Sequence, residues 1–201
     1  MSSEAGESTS RLFARWVVAT SWGWLLGFVF LMVGAIAADV LMGLERAQFF
    51  LGLGMGTGIG YAQVRVTRPF LRISSAWGWA SVVGMGAPFV VSDVIRAIWP
   101  GVSYMYALWL SAAFGGLLVG LLQWPMLRPR APRAIWWVPA STAGWMLAAA
   151  TPLLYGTVPG LAPGAGAALI NVVAIPLGGV ILGTVTGGTL VWLLRSGSHA
   201  A

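Results

Sequence analysis

The amino-acid sequence predicts an all-α integral membrane bundle of six transmembrane helices, built from three repeated two-helix units. Of the 201 residues, 58% are hydrophobic and only 8% are charged, whereas soluble domains carry about 25% charged residues. The mean hydropathy of +0.85 is too high for a fold that hides its apolar residues from water. The apolar residues also form long runs, separated by short turns that carry arginine. These observations together favour a lipid bilayer as the solvent of the chain.

The apolar runs predict six spans, because about 20 helical residues cross the hydrocarbon core of a bilayer. The runs occupy residues 16–38, 49–64, 77–91, 107–127, 135–154 and 167–194. We expect residues 1–12 to form a disordered cytoplasmic tail, residues 13–195 the transmembrane domain, and residues 196–201 a second cytoplasmic tail. The last run is either one tilted helix or two pieces separated at Pro176.

Arginine carries all of the basic charge, and its distribution predicts the orientation of the spans. If the N-terminus is cytoplasmic, the inner side holds Arg11, Arg15, Arg65, Arg68, Arg72, Arg128, Arg130, Arg133 and Arg195. Only Arg46 and Arg96 then lie outside, so the positive-inside rule places both termini in the cytoplasm of a bacterial cell (inner) membrane. The expected anchors at this interface are Arg68, Arg72, Arg128, Arg130, Arg133 and Arg195. These arginines predict a bilayer with anionic headgroups as the partner. Nucleic acid is not expected, because a protein that binds it needs a basic face on a folded surface.

Glycines at helical spacing predict where the spans pack against one another. The second span carries glycine at every second position from Gly52 to Gly60, and Gly52, Gly56 and Gly60 share one helix face. Small residues four apart allow the backbones of membrane helices to approach closely. The predicted packing glycines are Gly52, Gly56, Gly60, Gly116, Gly120, Gly183 and Gly187.

The chain repeats itself at an offset of 60 residues. The positions Gly56, Gly60, Gln63, Arg68, Trp77, Ala80, Ser81 and Gly84 match Gly116, Gly120, Gln123, Arg128, Trp137, Ala140, Ser141 and Gly144. The first span matches the second half of this pattern through Trp16, Ala19, Thr20, Gly23 and Trp24. The last span matches the first half through Gly183, Gly187, Leu194 and Arg195, set against Gly116, Gly120, Leu127 and Arg128. Successive two-helix units keep their orientation across the membrane, so the sequence predicts a parallel repeat.

Three amide side chains are candidates for hydrogen bonds between helices. Gln63 and Gln123 lie at the inner ends of their spans, and Asn171 lies near the outer end of the last run. Each amide could bond across helices or cap a backbone carbonyl. We favour a structural role over ligand binding, although such bonds average only about 0.6 kcal/mol in membranes.

The residue inventory does not favour catalysis. The chain has no cysteine and no lysine, and its single histidine, His199, lies in the C-terminal tail. The spans therefore lack the histidine that a serine–histidine site or haem ligation requires. They also lack the lysine that forms a Schiff base. The carboxylates Asp39, Glu45 and Asp93 are single and scattered, unlike the clustered ligands that metal-dependent enzymes use. We expect no enzyme, no metal site and no cofactor.

The hairpin pattern resembles that of a group of predicted bacterial multi-span membrane proteins. Their turns read Gln-Trp-x2-Leu-Arg before a helix with Trp-x2-Ala-Ser-x2-Gly-Trp, and residues 123–128 followed by 137–145 fit this pattern. Residues 63–68 depart from it, since Val64 and Thr67 stand where Trp and Leu are expected. The resemblance covers residues 49–145 and implies the multi-span fold, but it brings no activity with it.

Two functions of different class follow from these patterns. The first is a non-enzymatic scaffold or accessory subunit that binds other membrane helices or its own copies. The second is a small transporter or channel for a neutral or apolar solute, or a binder of a flat apolar ligand such as a carotenoid or quinone. Trp22, Trp24, Trp79 and Trp145 are the candidates to stack on such a ligand. A transporter requires a continuous polar cavity that reaches the midplane, whereas a scaffold should be packed shut.

Overall fold

The structure is a computed structural model that describes residues 2–42, 47–151 and 165–198. Within these ranges the chain is helical and has no β-strand, so the all-α prediction is confirmed. The helices are α1 (Ser2–Met42), α2 (Phe49–Leu71), α3 (Ala76–Ile98), α4 (Tyr104–Leu127), α5 (Trp137–Ala150) and α6 (Ala165–Ser198). A 3₁₀ turn, Ala134–Trp136, leads into α5.

The six helices form a closed ring. Each helix packs against the next one in the chain, and α6 packs against α1 to complete the circuit. Because short turns join α2 to α3 and α4 to α5, neighbouring helices run antiparallel. The odd-numbered and even-numbered helices therefore alternate around a central axis, and each class runs in a single direction.

Four of the six helices are long and apolar enough to cross a membrane, which indicates a membrane protein. They are α1 over Thr9–Val40, α3 over Ala76–Ile98, α4 over Met105–Leu127 and α6 over Ala174–Gly197. The helix α2 has 23 residues, but its glycines together with Arg65 and Arg68 make it less apolar. The helix α5 has only 14 described residues, about 21 Å at the usual rise per residue, and a bilayer core is about 30 Å thick.

Two predictions about the ends of the chain need correction or completion. Residues 2–12 are not a disordered tail, since α1 begins at Ser2. At the other end α6 runs unbroken through Pro176 to Ser198, so the alternative of two separate pieces is wrong. The expected loop at residues 155–166 lies mostly outside the described residues, and α6 begins within it at Ala165.

All of the described arginines except Arg96 lie at one end of the ring, which we call the arginine end. The α2–α3 turn, the α4–α5 turn, the C-terminal part of α6 and Trp16 of α1 all contribute to one hydrophobic cluster there. Its most buried members are Trp16, Trp77, Leu127, Trp137, Leu190 and Leu193. A second cluster fills the middle of the ring, with Ile59, Met85 and Leu182 among its members.

At the opposite end, Asp93 of α3 ties two helices together. One of its carboxylate oxygens accepts hydrogen bonds from the backbone N–H groups of Gln48 and Phe49, each at 2.7 Å. Its other oxygen pairs with Arg96 at 3.3 Å. A carboxylate at a helix N-terminus satisfies N–H groups that have no partner within the helix, so Asp93 stabilises the start of α2.

Candidate functional site: the bundle axis

Three tryptophans meet on the axis at the arginine end, and we call them the axial tryptophans. Trp16, Trp77 and Trp137 are each at most 1% exposed, and their ring centroids lie 6.2, 6.0 and 5.4 Å apart. Such edge-to-face and tilted geometries suit the charge distribution of aromatic rings. These three tryptophans therefore fill the core of the bundle and do not lie on its outer surface.

Each axial tryptophan donates its indole N–H to a buried side chain of an even-numbered helix. Trp77 donates to Gln63 Oε1 and Trp137 donates to Gln123 Oε1, both at 3.0 Å. Trp16 donates to Thr186 Oγ1, also at 3.0 Å. The three acceptors are at most 4% exposed. The same bond therefore recurs three times around the axis, between α3 and α2, α5 and α4, and α1 and α6.

The two glutamines extend these bonds to a third helix. Gln63 Nε2 donates to Thr20 of α1 at 3.4 Å, and Gln123 Nε2 donates to Ser81 of α3 at 2.9 Å. The Thr186 hydroxyl instead donates to a carbonyl of its own helix. The cavity left among these side chains is about 10 Å³, and a single water needs about 10–15 Å³. The polar groups therefore satisfy one another and leave little space for solvent.

The predicted packing glycines of α2 and α4 lie against the helix that follows them. A Cβ built on Gly52 would lie 2.6 Å from a carbonyl of α3, and one on Gly56 would lie 2.6 Å from Ser81 O. Gly60 meets Gly78 O of α3 at 2.9 Å. Gly116 and Gly120 meet α5, each with a nearest atom at 2.8 Å. These faces are therefore occupied by helices of the same chain.

The glycines of α6 make the same kind of close contact with a neighbouring helix. Each of them lies one helical turn from the position that the sequence repeat predicts. A Cβ on Gly120 would meet Val138 Cα at 2.8 Å, and a Cβ on Gly183 would meet Val17 Cα at 3.0 Å. Val138 and Val17 each follow an axial tryptophan. Gly183 is therefore the counterpart of Gly120, and not of Gly116.

The neighbouring glycine confirms this shifted correspondence. A Cβ on Gly116 meets Trp145 Cβ at 2.8 Å, and one on Gly179 meets Trp24 Cβ at 2.7 Å. Trp145 and Trp24 each lie eight residues after an axial tryptophan. Gly187 instead lies against the ring of Trp16 itself, at 2.7 Å.

The shift also explains why Thr186 occupies a place where the other units have glutamine. Gly179-x3-Gly183-x2-Thr186 has the same spacing as Gly116-x3-Gly120-x2-Gln123. This spacing is visible in the sequence. The match of Leu194-Arg195 to Leu127-Arg128, however, favours an alignment of α6 that is shifted by one helical turn.

The other predicted residues are spread over the two ends. Asn171 belongs to α6, but its side chain lies outside the described part of the structure. The expected anchors Arg68, Arg72, Arg128, Arg130, Arg133 and Arg195 all lie at the arginine end. Arg128 stacks over Trp124 at 6.0 Å and Arg133 over Trp192 at 5.9 Å. Such contacts keep the guanidinium groups near the interface while their stems cover apolar surface.

A cavity of about 90 Å³ lies on the axis beyond the tryptophans, towards the opposite end. We call it the axial cavity. Its lining is apolar apart from one hydroxyl: Trp24, Phe28, Leu31, Leu51, Met55, Met85, Phe89, Leu108, Ala112, Trp145, Ala149, Thr151 and Ile175. The Thr151 hydroxyl is itself satisfied, since it donates to Ala148 O at 2.8 Å. The cavity thus suits an apolar occupant.

One small residue in this lining stands where two other odd-numbered helices have phenylalanine. Phe28, Phe89 and Ala149 each lie twelve residues after an axial tryptophan, and all three line the cavity. The two phenyl rings occupy space in the cross-section of the bundle at this level, whereas the methyl group of the alanine leaves the corresponding space empty. The sequence comparison did not single out this position because the match between repeats stopped at Trp145.

Two of the four tryptophans proposed to stack on a ligand do reach this cavity. Trp24 and Trp145 line it, with centroids 5.9 Å apart and ring planes inclined at 37°. Trp22 and Trp79 are each 68% exposed on the outside of the ring. The sequence alone could not separate these pairs, because the positions of helix faces around the axis depend on the packing.

The described residues contain no group of three or more His, Asp or Glu side chains placed to hold a metal ion. In comparisons with protein families, curated proteins and solved structures, the chain matches none of them. The geometry of the ring and its axis is therefore what indicates a function.

Proposed function

We propose that this chain is a non-enzymatic, six-span scaffold or accessory subunit of a bacterial inner membrane. The observation that carries this proposal is the closed axis at the arginine end. Three large rings pack there without a gap, and the side chains around them satisfy their hydrogen bonds within the protein. The described residues therefore offer no continuous polar path, which the transporter hypothesis requires.

Six spans are the topology that the ring favours, although only four helices meet the length and composition of a span by themselves. The helix α2 lies between α1 and α3, whose backbones it contacts through glycine. Its less apolar residues can cross a bilayer because those neighbours cover much of its surface. The recurring contacts around the axis also support three two-helix units related by repetition.

The lack of native cysteine allows a direct test of this topology. Single cysteines replace the exposed Ser74, in the α2–α3 turn, and the exposed Ser103, before α4. In intact cells a membrane-impermeant thiol reagent should label Ser103→Cys, whereas Ser74→Cys should react only after permeabilisation. Labelling of both, or the reverse pattern, would overturn the proposed orientation with cytoplasmic termini.

The partner of this scaffold is another membrane helix, and the face that supports its docking is on α6. The glycines of α2 and α4 are occupied within the chain, but Gly188 is exposed and a Cβ there would meet no atom within 4 Å. Thr184, one turn away, is also exposed. Small residues four apart on a lipid-facing surface suit close approach of a second helix.

A cysteine at Gly188 tests this face. It should form a specific cross-link in native membranes, either to a second copy or to a partner span, and Gly188→Leu should abolish the association. A cysteine at Val83, which is 55% exposed on α3, is the matched control. Equal cross-linking from both positions would indicate random collision and would reject the α6 face.

The axial cavity favours a second function, the binding of an apolar ligand. An engineered cavity of about 150 Å³ binds benzene, so about 90 Å³ suits one end of an apolar chain and cannot enclose a whole carotenoid or quinone. Ala149→Phe should fill the space. Organic extracts of the purified protein should contain a stoichiometric apolar compound that this variant lacks; its absence from the native protein would reject the function.

A further inference from the structure

A groove on the outside of the ring differs from the rest of the surface. It lies between α2 and α3 near the arginine end and has a volume of about 420 Å³. We call it the α2–α3 groove, and it is lined by Thr57, Tyr61, Val64, Arg65, Arg68, Ser75, Gly78, Trp79 and Val82. Tyr61 is 52% exposed and Trp79 is 68% exposed, so the groove opens to the surroundings of the bundle.

The position of Arg65 is unusual for a charged residue. It lies six residues before the end of α2 at Leu71, which is roughly 9 Å along the helix. Its guanidinium group donates a hydrogen bond to the Tyr61 hydroxyl and lies 4.9 Å from the centre of that ring. Tyr61 is one turn farther from the arginine end, so Arg65 reaches away from the nearer interface and does not snorkel towards it.

No carboxylate pairs with Arg65 among the side chains that the structure describes. A charged side chain on the lipid-facing surface of a span is costly, and such residues usually pair with an opposite charge. The Tyr61 hydroxyl is neutral and leaves the positive charge uncompensated. An anionic group from outside the chain would complete this arrangement.

The fold does not require a charge at this position. Arg65 lies five residues after Gly60, and the equivalent positions after Gly120 and Gly183 hold Pro125 and Gly188. The other two units therefore place an uncharged residue at the same level of the ring. The arginine is a particular property of the α2–α3 unit, and its reason has to be sought in this groove.

The remaining groups of the groove suit an amphipathic ligand. Arg68 and the exposed Ser75 hydroxyl lie nearer the arginine end, where α3 begins at Ala76 and its dipole favours negative charge. Farther from the arginine end, Gly78 forms the floor of the groove. The nearest atom to a Cβ built on Gly78 would be Val64 Cγ2, at 3.4 Å. The absence of a side chain at Gly78 leaves a shallow apolar channel beside Val82.

We propose that the α2–α3 groove binds one anionic phospholipid. Its phosphate lies between Arg65 and Arg68, whose guanidinium groups match phosphate oxygens in geometry and charge. One acyl chain follows the apolar floor over Gly78, between Val82 and Trp79. The Tyr61 hydroxyl, which accepts a hydrogen bond from Arg65, holds this guanidinium group beside the groove. This assignment depends on the membrane location of the chain and not on the scaffold function.

Native mass spectrometry of the full-length protein in detergent micelles tests the proposal. Titration with phosphatidylglycerol should show one tightly bound lipid. Phosphatidylcholine should bind at least about tenfold more weakly, because the ammonium group of its headgroup cancels the charge of its phosphate beside the two arginines. The double variant Arg65→Gln/Arg68→Gln should lose this preference. Its matched control is Arg130→Gln/Arg133→Gln, which removes the same charge from the α4–α5 turn at the same end.

The outcomes separate a specific site from general attraction. Equal loss of phosphatidylglycerol in both double variants, or no loss in either, would overturn the proposal. Gly78→Leu fills the floor without changing charge, and it should weaken the first lipid by about tenfold; unchanged binding would reject the acyl position. Soluble glycerol phosphate should not displace the lipid, and displacement would show that the groove takes a free phosphate.

Discussion

The two halves of the ring differ along its axis, although the same six helices build both. At the arginine end, each unit contributes one tryptophan, and the three rings close the axis. Twelve residues farther along, the units contribute Phe28, Phe89 and Ala149, and a cavity of about 90 Å³ remains. Two of the odd-numbered helices therefore place a phenyl ring at this level, and the third places only a methyl group.

The halves differ in polarity as well as in packing. The closed half holds the indole N–H groups with their glutamine and threonine acceptors, all hydrogen-bonded within the chain. The hollow half has an almost entirely apolar lining. Hydrogen-bonded polar groups fix one arrangement of neighbouring helices, whereas an apolar cavity can accept or release an occupant without breaking such bonds.

The largest expected effect comes from opening the closed half. Trp77→Ala should destabilise the protein by about 3–5 kcal/mol, because it removes a buried ring and leaves a cavity. Trp77 is fully buried and also donates to Gln63. Trp79→Ala, at a position 68% exposed, should cost less than about 0.5 kcal/mol. Unfolding in mixed micelles of mild detergent and SDS measures both, and similar losses would contradict the axial position of Trp77.

A smaller effect should distinguish two neighbouring alanines in the hollow half. Ala148 is completely buried, so Ala148→Phe should overpack the core and cost about 1–3 kcal/mol. Ala149 lines the cavity, so Ala149→Phe should be neutral or stabilise the protein by up to about 1 kcal/mol. The same unfolding assay compares them. If the two substitutions destabilise equally, the space beside Ala149 is not a real cavity.

The smallest effect concerns the hydrogen bonds of the closed half. Gln123→Leu leaves the Trp137 indole N–H without its acceptor and should cost about 1 kcal/mol. Thr142→Val is the control, because the Thr142 hydroxyl bonds only within α5, at 2.9 Å, and its loss should have little effect. If Thr142→Val destabilises the protein as much as Gln123→Leu does, there is no evidence that hydrogen bonds between helices stabilise the closed half.

Composition was sufficient to predict the helical class, whereas the repeat of α2–α3 in α4–α5 stays a prediction. The count of six spans stays a prediction, because α2 is diluted by glycine and α5 is short. The helical start of α1 was missed because polarity at residues 2–12 was interpreted as disorder, whereas acidic residues favour a helix N-terminus.

The axis itself could be predicted only in part. The sequence predicts Gln63 and Gln123 as polar residues between helices, but it does not indicate that tryptophans are their partners. Helical periodicity assigns a residue to a face and does not say whether that face meets lipid or the centre of a ring. Whether Trp16 faces lipid or the centre of the ring depends on the packing of α6 against α1. No local sequence pattern contains this information.

The closed axis is tested most directly by the accessibility of Ser141. This residue is 1% exposed and donates to Gly116 O at 2.9 Å, and the chain has no other thiol to interfere. Ser141→Cys should resist a membrane-impermeant thiol reagent applied to both sides of permeabilised membranes, while Ser74→Cys reacts readily. Labelling of Ser141→Cys at a rate near that of Ser74→Cys would reveal a water-filled path and contradict the account.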